Sequence, residues 1–178
     1  MPAWLALVAA AITAVNHWVF RITLWLMAIV VPVMLYEVVA RYVFDAPTVW
    51  GMELAVLLFG PYFLFGGPHL LHLRGHVALD LLRQRLDSTW SRRLDLVNYP
   101  VIVAFCAILL YFSVPAAWSA WSYRETSFSA WNPPIWPVKA AVPLALALML
   151  LQALAEWAYT WYGSPEEAAP HPAQEVAP

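Results

Sequence analysis

The chain has 178 residues, of which 63% are hydrophobic and 11% are charged, and its formal net charge is −2. A soluble domain of this length could not bury so many apolar side chains in one small core, so the composition predicts an integral membrane protein. The small net charge gives no indication of a nucleic-acid partner, and the single cysteine, Cys106, excludes an internal disulfide.

The N-terminus is apolar but lacks the cationic start of a signal peptide, because the first charged side chain is Arg21. We interpret residues 1–17 as an uncleaved N-terminal lead-in or interfacial helix. A four-span membrane domain is predicted to follow at residues 18–162.

Four apolar stretches in that domain are long enough to cross a hydrocarbon core, which takes about 20 residues. Their predicted bounds are about 18–43, 50–71, 96–121 and 138–161. Tryptophan and tyrosine side chains lie at or near the ends of these stretches, where residues of this kind anchor helices at a membrane interface. The predicted fold class is an all-α integral membrane protein with four transmembrane helices.

The first two spans are joined by a short loop that has charged residues on both sides. Arg41 precedes the middle of this loop by about as much as Glu53 follows it, so two helices would bring the two charges to one depth near a membrane edge. Glu37 lies one helical turn before Arg41, on the same face, so Arg41 could serve both acids. These three residues and Trp50 are interpreted as a hairpin clamp on the periplasmic rim. The alternatives are a purely structural clamp and a surface met by a partner.

A patterned connection follows span two, from His72 to Asp95. Leucines at helical spacing with arginines between them predict an amphipathic interfacial helix between spans two and three, either resting on lipid or docked on a partner. His76 and Asp80, four residues apart, mark its predicted start. Five arginines of this connection predict by the positive-inside rule that it and both termini are cytoplasmic: Arg74, Arg83, Arg85, Arg92 and Arg93.

The loop before the last span combines prolines, tryptophans and hydroxyl side chains, which predicts an ordered segment. Its tryptophans are either interfacial anchors or part of a surface for protein contact. The candidate docking residues are Arg124, Glu125, Ser127, Trp131, Trp136 and Lys139. Residues 163–178 are rich in Pro, Ala and Glu, and they are predicted to form a disordered cytoplasmic tail.

Three histidines near one end of the spans indicate an alternative function for the protein. His17, His69 and His72 could bind haem or quinone in a membrane-anchor subunit of a respiratory oxidoreductase. A stand-alone channel is a weaker alternative because the spans contain few polar interior groups. No arrangement of a nucleophile with its base is evident, so the sequence predicts neither an enzyme nor a cofactor or metal site.

Several motifs occur together in a fixed order. Span one ends in Glu37-x-x-x-Arg41-Tyr42-Val43-Phe44, the next loop reads Pro47-x-x-Trp50-x-x-Glu53, and span two is followed by Arg74-Gly75-His76-Val77-x-x-Asp80. Thr126-Ser127 and Pro134-x-Trp136-Pro137-x-Lys139 precede the last span. With this order, residues 20–160 resemble the small membrane subunit, the DctQ-like family, of tripartite ATP-independent periplasmic (TRAP) transporters.

The resemblance implies a small permease subunit in a sodium-coupled, binding-protein-dependent uptake system for organic anions in the bacterial inner membrane. Its partners would be a large multi-span permease subunit, a periplasmic solute-binding protein and membrane lipid. By this analogy the chain itself binds no solute. It would brace the large subunit and contribute to the surface on which the binding protein docks.

Overall fold

The computed structural model describes residues 2–73 and 88–162. Within these ranges the protein is all-helical, and the helices are α1 (Ala3–Tyr42), α2 (Gly51–His72), α3 (Ser88–Ser122) and α4 (Trp136–Tyr162). Each of the four is long and apolar enough to cross a membrane. The predicted all-α class with four transmembrane helices is confirmed.

Two helices extend well beyond the bounds predicted for their spans. Residues 3–17 form the first part of α1, which continues without interruption to Tyr42. Ser88 begins α3, so the last part of the predicted amphipathic stretch is continuous with the third span. Residues 74–87, including His76 and Asp80, and the tail at 163–178 lie outside the described residues, and the interfacial helix is not confirmed.

The buried face of α1 repeats every seven residues. Ala9, Asn16, Thr23, Val30 and Glu37 are each between 2% and 4% exposed. A repeat of this length keeps one face of a helix against its neighbours, as in the left-handed packing of coiled coils and membrane bundles. The neighbours of α1 are α2 and α4. Because Ala9 and Asn16 belong to this face, the beginning of α1 is part of the same packing surface.

The fourth helix is central, because α1, α2 and α3 all contact it. Its buried residues include small side chains, Ala145, Ala153 and Ala155, which let neighbouring helices approach closely. Leu71 of α2 and Tyr99 of α3 meet at Ala153 in a buried cluster.

The helix bundle has two ends, which are named here by the segments that lie there. We call the end with loops 43–50 and 123–135 the hairpin end. The opposite end, where α1 and α3 begin and α2 and α4 finish, is the terminal end.

Candidate functional site

Glu37 is the buried acid of the hairpin end, and its side chain is only 2% exposed. Its Oε1 accepts hydrogen bonds from Nη2 and Nε of Arg41, at 2.5 and 3.2 Å. Its Oε2 accepts from the backbone N–H of Thr48 at 3.2 Å and from the Thr48 hydroxyl. Both oxygens of a carboxylate at the end of an apolar span thus have donors, which offsets the cost of burying it. The contact with Arg41, which the four-residue spacing predicts, is present.

The loop between α1 and α2 closes directly over this carboxylate. Thr48 Oγ1 accepts a hydrogen bond from the backbone N–H of Gly51 at 3.1 Å, at the first residue of α2. A Cβ on residue 51 would lie 2.8 Å from Thr48 Oγ1 and 2.9 Å from Glu37 Oε2. Only glycine lets α2 begin so close to the acid. We call Glu37, Arg41, Thr48 and Gly51 the rim clamp.

Gly51→Ala is expected to lower the stability of the purified protein by about 1–3 kcal/mol, because a methyl group must displace the Thr48 hydroxyl or the Glu37 carboxylate. The matched control is Gly66→Ala, where the nearest atom to the added Cβ is Phe20 Cε2 at 3.9 Å, an ordinary contact. Thermal unfolding in one detergent measures both variants. Equal midpoints for the two variants would contradict the close packing at Gly51.

Arg41, which the sequence suggested could serve two acids, is bonded to Glu37, and Glu53 has a different partner. Glu53 Oε2 instead accepts a hydrogen bond from the hydroxyl of Ser129 at 2.6 Å, while Arg41 binds Glu37. The two charges flank the same loop, but the side chain on α2 is directed to the loop between α3 and α4. Glu53 therefore joins the first turn of α2 to the loop between α3 and α4.

The second loop, residues 123–135, is named the rim loop, and its own hydrogen bonds organise it. Ser127 N–H donates to the carbonyl of Pro133, and Ile135 N–H donates to the carbonyl of Glu125, both at 3.0 Å. Arg124, Phe128 and Asn132 have φ angles of 49°, 55° and 51°. Asparagine adopts this left-handed conformation readily, whereas for Arg124 and Phe128 it is costly and persists where surrounding contacts hold it.

Side chains complete the order of the rim loop. Asn132 Oδ1 accepts from Phe128 N–H at 3.0 Å, and Ser129 Oγ accepts from Asn132 N–H at 2.9 Å. Lys139 Nζ lies 2.7 Å from both carboxylate oxygens of Glu125 and so ties the start of α4 to the loop. The sequence prediction of an ordered loop agrees with this geometry.

Aromatic side chains border the hairpin end. Trp136 meets Trp121 edge-on, with ring centroids 4.4 Å apart, and Arg124 Cζ lies 5.9 Å from the centroid of the Trp136 ring. Trp50, the residue directly before α2, stacks on Tyr36 near the end of α1, with ring centroids 6.1 Å apart. Trp131 is 37% exposed. The tryptophans predicted to be candidate contact residues thus lie at one end of the bundle.

A second polar group, which we call the inner cluster, joins α1, α2 and α4 near the terminal end. Asn16 Nδ2 donates to Gln152 Oε1 at 2.7 Å. Gln152 Nε2 donates to Thr13 Oγ1 at 3.1 Å and to Glu156 Oε1 at 2.9 Å. His72 Nδ1 lies 2.6 Å from the same Glu156 oxygen. Gln152 is completely buried and Glu156 is 5% exposed.

Sequence reasoning missed the inner cluster and treated the spans as lacking convergent polar groups. The signal was present, since Thr13 and Asn16 are three residues apart and Gln152 and Glu156 four apart, each pair on one helical face in an apolar run. Which faces meet depends on how the helices are rotated in the bundle. The pattern alone therefore does not identify the partners.

The three histidines proposed as haem or quinone ligands have different surroundings. His69 is buried, stacks on Phe20 at 4.5 Å and meets His17 edge-on at 5.2 Å. His72 is held by Glu156. In the part of the chain that the structure describes, no group of three or more His, Cys, Asp or Glu side chains is arranged to hold a metal ion.

Residues 29–163 match the family model described as "Tripartite ATP-independent periplasmic transporters, DctQ component". The match covers most of the chain and includes the rim clamp, Glu53 and the rim loop. The chain belongs to the DctQ family. A comparison with curated proteins gives no match.

Membership in the DctQ family makes this protein the small permease subunit of a TRAP transporter, an integral protein of the inner membrane and a non-enzymatic component. The family implies a large permease subunit and a binding protein as its partners. This replaces the alternative of a respiratory membrane anchor. Asn16 and Thr13 of the inner cluster precede the matched range.

Proposed function

We propose that this DctQ subunit braces the large permease subunit of a sodium-coupled transporter for organic anions and contributes to the periplasmic surface on which the binding protein docks. The observation that carries the docking role is the hydrogen bond between Glu53 and Ser129, because it holds the rim loop against the start of α2, next to the loop at 43–50. The carboxylate class of the solute and the coupling to sodium follow from the family resemblance.

The orientation of the protein in the membrane is part of the same proposal. Arginines of the connection between α2 and α3 favour a cytoplasmic location for the terminal end. The hairpin end then faces the periplasm, and both chain termini are cytoplasmic.

A bracing role needs a subunit that keeps its shape while a partner moves. The rim clamp fixes α1 to the loop before α2 at the hairpin end. The inner cluster joins α1, α2 and α4 about 30 Å away along the helices. Polar contacts at both ends of an apolar bundle oppose sliding of one helix past another. The subunit is therefore suited to serve as a rigid support.

A docking role needs exposed side chains on an ordered backbone. Phe128 is 86% exposed and Tyr123 is 83% exposed, both on the rim loop. The loop is held internally by Asn132 and anchored to α2 through Glu53. Rigid aromatic side chains at the surface are typical anchors of protein interfaces.

Co-expression with the large permease subunit and the binding protein from the same transporter tests the bracing proposal. The chain is expected to co-purify with the large subunit, and uptake of a labelled organic anion is expected to require both permease subunits and a sodium gradient. Full uptake by the large subunit without this chain would contradict the bracing role. Uptake that needs this chain but no sodium gradient would contradict the coupling alone.

Ser129→Ala is expected to weaken docking, because it removes the contact of the rim loop with Glu53. The apparent KM for the loaded binding protein should rise about threefold to tenfold, which is the effect of losing about 1 kcal/mol. Reconstituted uptake measured against binding-protein concentration gives this value. The matched control is Ser122→Ala, whose hydroxyl donates to the carbonyl of Trp118 in its own helix. If both variants keep the wild-type KM, the Glu53–Ser129 contact has no part in docking.

A further inference from the structure

Arg21 is an arginine in the first span, and no described contact between the helices of the bundle includes it. It lies on α1 five positions after Asn16, about 7.5 Å further into the span. Its side chain is exposed, and among the described residues no hydrogen bond or ion pair includes it. A charged side chain in an apolar span is costly unless it finds a partner or reaches the interface. An anion at the membrane interface would offset this cost.

The surroundings of Arg21 have the composition of a membrane interface. His17 precedes it by one turn on the same face, and Trp18 and Trp25, which are 64% and 71% exposed, flank that face. This face is turned away from the buried repeat that includes Asn16 and Thr23. Tryptophan is concentrated at the level of lipid headgroups.

The direction of the helix brings the guanidinium toward the near surface. Cα–Cβ bonds of an α-helix tilt toward its N-terminus, and the N-terminus of α1 is at the terminal end. A long arginine side chain can therefore extend its charge from the span to the headgroup region while its methylene groups remain among acyl chains.

A second Trp–Arg pair with the same spacing lies at the same end of the bundle. Arg93 Cζ is 5.2 Å from the centroid of the Trp90 ring, near the beginning of α3. The repetition on a separate helix places aromatic and cationic groups around the terminal end. Because a lipid phosphate is the anion present at that level around the whole protein, it fits both pairs better than a single carboxylate of a partner.

We propose that Arg21, with His17 on the same face and Trp18 and Trp25 beside it, binds the phosphate of an anionic phospholipid in the leaflet at the terminal end. The planar guanidinium can donate two parallel hydrogen bonds to phosphate oxygens. The two indole rings pack against the glycerol and upper acyl region. The site does not depend on the proposed transport role, since it needs only the membrane-inserted chain.

Native mass spectrometry of the purified full-length chain tests this site, with phosphatidylglycerol and phosphatidylcholine added at equal concentrations. The wild type is expected to retain phosphatidylglycerol preferentially. Arg21→Gln is expected to bind it about fivefold more weakly, as for the loss of one cation near an anionic membrane surface. Arg21→Lys should bind phosphatidylglycerol with intermediate strength, because lysine keeps the positive charge but cannot donate two parallel hydrogen bonds from a planar group. Lys139→Gln removes a cation that is already paired with Glu125 at the hairpin end, and this variant should retain phosphatidylglycerol as the wild type does.

Equal retention of phosphatidylglycerol by the wild type, Arg21→Lys and Arg21→Gln would overturn the lipid site. So would unchanged retention by Arg21→Gln together with weaker co-purification of the large subunit, since Arg21 would then bind a carboxylate of that partner. Thermal unfolding of each variant shows that the comparison is made between folded proteins.

Discussion

Arg41→Ala is expected to reduce the yield of assembled permease roughly tenfold, because it leaves a buried carboxylate with donors on only one of its oxygens. Arg41 supplies both donors to Glu37 Oε1, whereas Thr48 supplies those to Oε2. Arg41→Lys is expected to restore part of the yield, since one ammonium group can replace one of the two guanidinium contacts. Co-purification with the large subunit measures the yield, and reconstituted uptake should follow it.

The same substitution provides a test that separates buried charge from general damage. If the loss arises from the unpaired carboxylate, Glu37→Gln in the Arg41→Ala chain should recover part of the yield, because the buried group is then neutral. Each single variant and the double variant form a cycle that measures the coupling. A double variant that is worse than Arg41→Ala alone would show that Glu37 acts independently of Arg41.

Gln152→Leu is expected to lower the stability of the isolated subunit by about 2 kcal/mol. The change removes three hydrogen bonds, each worth about 0.6 kcal/mol between membrane helices, and leaves Asn16 without its acceptor in the core. The midpoint of thermal unfolding should fall by about 6 °C. Because Gln152 joins α4 to α1, assembly with the large subunit should weaken as well.

Thr23→Val is the control for Gln152→Leu. Thr23 is also buried in α1, but its hydroxyl donates to the carbonyl of Val19 in the same helix. Its replacement by an isosteric apolar side chain should leave the unfolding midpoint nearly unchanged. Similar losses in both variants would mean that any buried polar side chain of the bundle contributes equally, and the inner cluster would have no special role in joining the helices.

The fold was predictable because the membrane restricts the choice of structure. Spanning segments must satisfy their backbone groups internally, so long apolar stretches become helices. The bounds were less predictable: the predicted first span began at residue 18, whereas α1 begins at Ala3. Apolar composition shows that a segment can enter a membrane, but the buried Ala9 and Asn16 show that it packs in the bundle.

The candidate site was predictable only where its contacts are local. Glu37 and Arg41 are one turn apart on one helix, so their contact follows from helical geometry. The sequence placed Glu53 and Arg41 at one depth because both flank one loop, but the rotation of α2 directs Glu53 to Ser129. The number of residues between two positions across a loop predicts how deep each lies in the membrane. It does not predict how each helix is rotated about its own axis.

The sequence by itself determined the membrane environment, the four helices, the family and the Glu37–Arg41 pair. These depend on composition, on the order of motifs and on spacing within a single helix. Only the tertiary structure decided that Glu53 joins the start of α2 to the rim loop, that Gly51 lies against Glu37, and that Gln152 and Glu156 connect α4 to α1 and α2. Those contacts depend on the rotation and axial register of neighbouring helices, which are set by the packing of whole helix faces.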